Sequence, residues 1–315
     1  MNTSSRFHRP KIILNRNDWK KFKKIAKSGW VCNGDAVNAL EKHFRDTFKT
    51  RYAIACSSAT QGLIIALRAS GIKNKKIAVP SFTWGSTLYA IQCSENYPII
   101  VDVNKETFLA DFHDIKADFY MPVDCFGNAY PKIKNAIYDS AHSYGLESLG
   151  KRGLAEVVSL SFTKPITGMQ GGIILTNDDR LASEAKELRD LSSKMCEFNA
   201  IIALNSIQNL TNAERIKKQA IEKYRELLKI TYTEQKILKE TNYSVYAIVF
   251  SDKLIRDRVA NELTRNGYEV KIYYNPLKIG LPNTDWLYDR ILALPIYEEI
   301  ISRIPEICGL INKAI

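Results

Sequence analysis

The stretch 157-VVSLSFTKPITGMQGGIILTND-178 holds two uninterrupted apolar runs, VVSL and GGIILTN, around one lysine, Lys164. Unbroken apolar runs, as opposed to alternating ones, are what a strand needs when it is buried on both faces of a sheet. The same texture recurs upstream in YAIAC (52–56), KIAVP (76–80), YPIIVDV (97–103), FYMPVDC (119–125) and NAIYDS (135–140). Between the early runs lie helical patterns, TQGLIIALRAS (60–70) and GSTLYAIQCS (85–94). Strands alternating with helices imply an α/β fold, a mainly parallel sheet flanked by helices, over the first two thirds of the chain.

Ahead of that region a basic arm leads into NGDAVNALEKHFRDTF (33–48), read as a helix from the cap residues Asn33 and Asp35 and from Val37, Leu40 and Phe44 at helical spacing. Beyond it, DDRLASEAKELRDLSS (178–193) reads as a helix. Residues 197–229 read as one longer helix with Phe198, Ile202, Ile207, Leu210, Ile221 and Leu228 along a face. The tail gives a strand in YSVYAIVF (243–250), a helix over 253–267, a strand in YEVKIYY (268–274), then RILALPIY (290–297) and a closing helix. This places a large α/β domain over 1–225, including the N-terminal arm, and a smaller C-terminal α+β domain over 226–315.

A chain of 315 residues buries a large core, and its 45% hydrophobic and 25% charged content is that of an ordinary globular protein. With no apolar run of membrane-spanning length and no signal-peptide core near the N-terminus, a cytoplasmic location without membrane contact is expected. The net charge of +11 is spread along the chain and interleaved with acids, so it reads as a solvated surface and not as a nucleic-acid site. Six scattered cysteines and four histidines offer no metal-site spacing and no disulfide framework.

In open parallel sheets ligands bind at the carboxyl ends of strands. Asp139 ends one apolar run, Ser159 and Lys164 follow another, and Ala59 and Thr60 open a helix after YAIAC. A helix N-terminus offers free amides to a phosphate. A desolvated lysine can bond to an aldehyde, and a carboxylate can keep a pyridine nitrogen protonated. Together these describe pyridoxal phosphate. Taken singly they have plainer readings: strand-end aspartates are often helix caps, lone lysines are usually solvated, Trp84 fits a core, and His142 fits a structural role.

The order of motifs adds to this. CSSATQGLIIAL, VPSFTWGSTLYAI, IYDSAHSYG, SLSFTKPITGMQGGIILTND, GYEVKIYYNPL and RILALPIY run in the sequence of the nucleotide-sugar aminotransferases of the DegT/DnrJ/EryC1/StrS family, which the chain resembles over nearly its whole length. The resemblance implies the fold type I architecture, pyridoxal 5'-phosphate as cofactor and no metal. It implies Lys164 as the lysine that bonds to the cofactor, Asp139 at the pyridine nitrogen, and His142 against the phenolic oxygen. Ala59, Thr60 and Ser159 become phosphate contacts and Trp84 a ring-stacking residue. It further implies a nucleotide-linked keto sugar as substrate, glutamate as amino donor, a role in cell-surface polysaccharide (lipopolysaccharide) or deoxyamino-sugar synthesis, and a homodimer.

Several positions depart from the family. Between ELRDL and SSKMCEF most of a loop is missing; Ser192 stands where an asparagine reaches the partner's phosphate, and Lys194 replaces an arginine. Asp124 and Lys278 stand where histidines are common, and the segment before TDWLYDR is short. Two other readings remain open: a related sugar dehydratase, where histidine typically takes the place of Lys164, and a non-catalytic binding or regulatory protein on the same fold.

Overall fold

The strands of the first two thirds are apolar on both faces, and the fold covers both. The structure, a computed structural model, describes residues 6–7, 12 and 14–315. It runs α1 (Arg16–Ser28), α2 (Asp35–Phe48), β1 (Tyr52–Cys56), α3 (Ala59–Ala69), β2 (Lys76–Pro80), α4 (Gly85–Cys93), β3 (Tyr97–Val101), β4 (Phe119–Tyr120), β5 (Ile137–Asp139), β6 (Ala155–Ser159) and β7 (Gly172–Thr176). There follow α5 (Asp179–Ser192), α6 (Glu197–Gln208), α7 (Leu210–Leu227), β8 (Thr233–Glu234), β9 (Tyr246–Val249), α8 (Lys253–Arg265), α9 (Pro282–Arg290), β10 (Ile291–Leu294) and α10 (Ile304–Ala314).

β3, β2 and β4 pair in parallel, as do β5 and β6, while β7 is antiparallel to both β6 and β1. Parallel bridges Tyr120–Ala136 and Val123–Asp139 join the two groups, giving the order β3-β2-β4-β5-β6-β7-β1. Side chains alternate across it. Ile54, Val157 and Ile174 pack under α3, α4 and α5 on one face, and Ala53, Val158 and Ile173 pack under α2 and α6 on the other. Each such buried aliphatic side chain contributes about 1.5–3 kcal/mol. A second core gathers the end of α7, α8 and α10 against the antiparallel sheet β10-β9-β8. Among the described residues no helix is long and apolar enough to cross a membrane.

Local expectations fail at five places. The basic arm contains α1, whose Asn15 caps Asn17 and Asp18 while Asp18 reaches back to the Asn15 amide. Neither Asn33 nor Asp35 caps α2. The Glu197 carboxylate, more than 160 residues downstream, accepts from the amides of Gly34, Ala36 and Val37 at 2.8–2.9 Å. Residues 197–229 are two helices broken at Asn209, whose side chain bonds back to the Asn205 carbonyl and whose amide tightens onto Ser206. α6 meets α2 through the small residues Ala200 and Ala203, which lets the two helices lie close; Phe198, Ile202 and Ile207 are only half-covered. YEVKIYY forms isolated bridges, among them Lys271–Ala293, in place of a strand, and Tyr273 and Tyr274 turn toward Phe126.

Candidate active site

β5 and β6 are parallel neighbours, so their last residues, Asp139 and Ser159, emerge together at one sheet edge. β1 delivers Ser58, the N-cap of α3, to the same edge. β7 starts there because it runs the opposite way, and its first residue has to be small. A Cβ on Gly172 would lie 2.6 Å from the Ala59 nitrogen, and Gly171 adopts φ +147. A side chain at Gly172 would therefore fill the turn that opens α3.

These segments line a cavity of ≈ 320 Å³ that contains Ala59, Thr60, Trp84, Asp139, His142, Ser159 and Lys164, seven of the eight residues expected from sequence. The eighth, Ser192, is outside it: it is exposed at the end of α5 and donates to the Leu188 carbonyl. Trp84 precedes α4 and stands 65% exposed at the mouth, with its indole free to cover a bound ring.

Asp139 is buried, with Oδ2 accepting from Thr87 Oγ1 at 2.7 Å and Oδ1 from the Ala141 amide at 3.2 Å. Burial pushes its carboxyl above the ordinary range, against the pull of Thr87 and Lys164. Such a carboxylate is a stronger base, suited to holding a pyridine nitrogen in its protonated form. Lys164 sits in a tight turn closed by its own amide on Ser161 and by Gly168 on Leu160. Its Nζ lies 2.7 Å from His142 Nε2, and desolvation lowers its pKa to about 8 against the opposing pull of Asp139. At neutral pH a usable fraction is therefore neutral amine. Across the cavity the first-turn amides of α3 have no acceptor within the helix, and Ser58 takes only that of Gln61. An amine, an acid and an anion-binding helix end thus face one cavity, and that donor set fits pyridoxal phosphate.

Sequence reasoning missed Thr87, Tyr274 and Ser244. Thr87 lies one turn into α4, four residues after Thr83, a spacing that puts both hydroxyls on one face. Tyr274 and Ser244 arrive from the last third of the chain, and no local pattern marks them. Asp124 has a structural role: it takes both Arg152 nitrogens at 2.7–2.8 Å and the hydroxyls of Ser140 and Ser143, directly behind Asp139. Glu156 completes this buried group, its carboxyl raised to about 7 by desolvation. Lys278 is exposed, held by its amide to Ser81.

The fold and this cavity define a pyridoxal-phosphate-dependent enzyme of the fold type I class. Within it, the chain belongs to the DegT/DnrJ/EryC1/StrS aminotransferase family, whose pattern it matches over residues 13–305. It is similar to the uncharacterized protein MJ1066 of Methanocaldococcus jannaschii, 26% identical, with 87% of this chain and 88% of that protein covered. Among solved structures it is similar to DesI, crystallised in the presence of its TDP-sugar product, at 21% identity and TM-score 0.88, covering 99% and 93% of the two chains. It is also similar to the E. coli GDP-4-keto-6-deoxy-D-mannose-3-dehydratase with bound hydrated PLP, at 16% identity and TM-score 0.82, covering 98% and 99%.

Proposed function

We propose that the protein is an aminotransferase that moves an amino group from glutamate to a nucleotide-linked keto sugar, using pyridoxal 5'-phosphate. The observation that carries this reading is the convergence of Lys164 and Asp139 on one cavity, with the lysine's pKa lowered to about 8. The amides of Ala59 and Thr60 and the Ser159 hydroxyl hold the phosphate, and Trp84 covers the ring. When bound, the cofactor supplies an aldehyde that captures amines and a ring that accepts the electron pair released at the substrate carbon. Asp139 holds the proton on the ring nitrogen. Lys164, as free amine, would take the proton from the donor's α-carbon and return it to the carbon on the far side of the amino nitrogen. His142 keeps that amine in place.

A wide cleft of ≈ 1350 Å³ opens beyond Trp84, with Arg6, Lys271 and Asn275 on its walls; it has room for a nucleotide sugar and cations for its diphosphate. The likeness to DesI, crystallised in the presence of its TDP-sugar product, supports the same substrate class. The dehydratase shares the fold; the presence of Lys164, where the dehydratases typically carry histidine, supports transamination. The product belongs to cell-surface polysaccharide (lipopolysaccharide) or other deoxyamino-sugar synthesis in the cytoplasm.

The active unit is a homodimer. Trp30 and Leu191 are 68% and 84% exposed, and the Asn33–Asp190 and Val31–Glu197 hydrogen bonds hold their segments together beside Ser192 and Lys194. Only Ser193–Cys196 separates α5 from α6, so the surface offered to a partner is short.

Borohydride reduction tests the cofactor lysine: a visible absorption band should vanish and the label should appear on the peptide containing Lys164. Turnover with glutamate and a panel of nucleotide-linked keto sugars then tests the reaction. Release of the sugar's hydroxyl as water, without amino transfer, would make it a dehydratase.

A further inference from the structure

His142 has two ring nitrogens, and the site above uses one. Nε2 faces Lys164 Nζ at 2.7 Å, with Tyr274 Oη at 3.4 Å. Nδ1 lies 2.5 Å from the hydroxyl of Ser244, which enters from the segment just before β9. That segment grips the histidine twice. Asn242 Nδ2 donates to the His142 and Tyr144 carbonyls at 2.6 and 2.9 Å, and Asn242 Oδ1 and the Phe126 carbonyl accept from the Ser244 amide at 3.0 and 3.1 Å. The serine is thus fixed against the ring and cannot drift with the chain.

On its other side Ser244 lines a second cavity, ≈ 170 Å³, behind the Phe162–Thr167 turn. Lys164 lines both cavities. The rear one also holds Lys217, with the carboxylates of Glu298 and Glu299 on its wall. The front cavity is where cofactor and substrate bind, so a proton leaving Lys164 by that route meets bound ligand. The rear cavity has a mixed lining, in which Ser206, Asn209, Asn212 and Lys217 offer polar partners, and space for water.

An ammonium has three donors and no acceptor, so a protonated Lys164 requires a lone pair on Nε2. The ring's hydrogen is then on Nδ1, and Ser244 Oγ accepts it. Among the described residues, the other charged or titratable groups around this pair include Asp139, engaged by Thr87 and Ala141, the Cys125 thiol, whose pKa burial drives up, and the Tyr274 hydroxyl, likewise driven up and so neutral.

We propose that Ser244 is a positioning residue that holds His142 as its Nδ1–H tautomer, and that Lys164, His142 and Ser244 form a proton path whose outlet is the rear cavity. The Lys164 ammonium gives a proton to Nε2, the Nδ1 proton passes to Ser244 Oγ, and the serine's original proton leaves to water in the rear cavity. One proton moves in all, no electron pair is exchanged with any external agent, and the reverse sequence restores the starting tautomer. Lys217 is a fitting end point: it lines the same cavity, and burial lowers the pKa of its amine to about 8, so it can stand neutral to receive a proton.

The tautomer follows from the contacts of both ring nitrogens, Nε2 with Lys164 and Nδ1 with Ser244, whatever the substrate is; only the kinetic arm rests on the aminotransferase reading. The chain has four histidines, so ¹⁵N-histidine labelling of the full-length protein gives a spectrum simple enough to read. Long-range ¹H–¹⁵N correlation, with His142→Gln to assign the signal, should show the Nδ1–H pattern in the parent and Nε2–H in Ser244→Ala, with Nδ1–H retained in Ser244→Thr. In turnover, Ser244→Ala should lose tenfold or more in kcat with KM for the amino donor within twofold, and Ser244→Thr should recover most of it. An Nε2–H signal in the parent overturns the tautomer assignment. The expected tautomer change with kcat unaltered overturns the path. A serine that only supports the fold would lower the melting temperature and leave the tautomer as it was, and that result overturns both.

Discussion

Lys164 should make the protein less stable than it would be without it. Its pKa falls from an ordinary 10.5 to about 8 because the amine is desolvated, so below pH 8 the folded state carries a buried ammonium that the unfolded state keeps in water. At ~1.4 kcal/mol per pH unit this penalty is on the order of 3 kcal/mol. The sign follows from proton counting: between pH 8 and 10.5 the unfolded chain binds more protons than the folded one, so stability rises with pH across that window. Lys164→Met keeps the length of the side chain and removes the charge. In cofactor-free protein it should gain about 1–3 kcal/mol at pH 7, the lower figure allowing for Asp139 losing its cationic neighbour. By pH 9.5 the gain should have shrunk by about 2 kcal/mol, because the parent lysine is then mostly neutral. Urea unfolding of both proteins at the two pH values measures this. A variant less stable than the parent at pH 7, or a gain that does not change with pH, would refute the desolvation argument.

Asp139→Asn should fold normally yet lose about two orders of magnitude or more in turnover, since an amide cannot hold the ring nitrogen's proton; steady-state kinetics on the cofactor-loaded variant reads it. Gly172→Ala should cost about 1–3 kcal/mol and weaken cofactor binding together, because its Cβ would drive into the turn at Ser58 and Ala59; unchanged unfolding and affinity would show that the turn yields. Light scattering should give a dimer. The double variant Ser192→Ala/Lys194→Ala should bind cofactor several-fold more weakly by fluorescence titration, and equal affinity would remove that segment from the partner's site.

The sheet was legible because its strands are buried on both faces, a property written in each run by itself: YAIAC, VVSL and GGIILTN each need no partner to be recognised. The place of Asp139, Ser159, Lys164 and the α3 turn at one sheet edge was legible for a related reason: Asp139 and Ser159 end such strands, the α3 turn follows one, and Lys164 lies in the turn beyond β6. Groups that reach a target across the chain were not. Glu197 caps α2 from far downstream, and Ser244 meets His142 across about a hundred residues. The break at Asn209 was hidden because hydrophobic spacing is similar on either side of it, and only the bond from its side chain to the Asn205 carbonyl marks the interruption.

The antiparallel strand β7, lying between β6 and β1, has a consequence for how the protein is made. β1 pairs with a strand 124 residues later in the chain, Tyr52 opposite Thr176. At ribosomal rates of about 5–20 residues per second, β1 emerges roughly 6–25 seconds before its neighbour exists. During that time the apolar face of α3 and the edge of β1 lack their final cover, and the helix end proposed to hold a phosphate stands apart from the lysine proposed to hold the aldehyde. The sheet edge of the cofactor pocket is therefore completed by the insertion of β7, before Tyr273 and Tyr274 arrive to close it. A nascent chain that stops before residue 172 holds the pieces of the site without the site, and cofactor in the cell stabilises only molecules that have already passed that step.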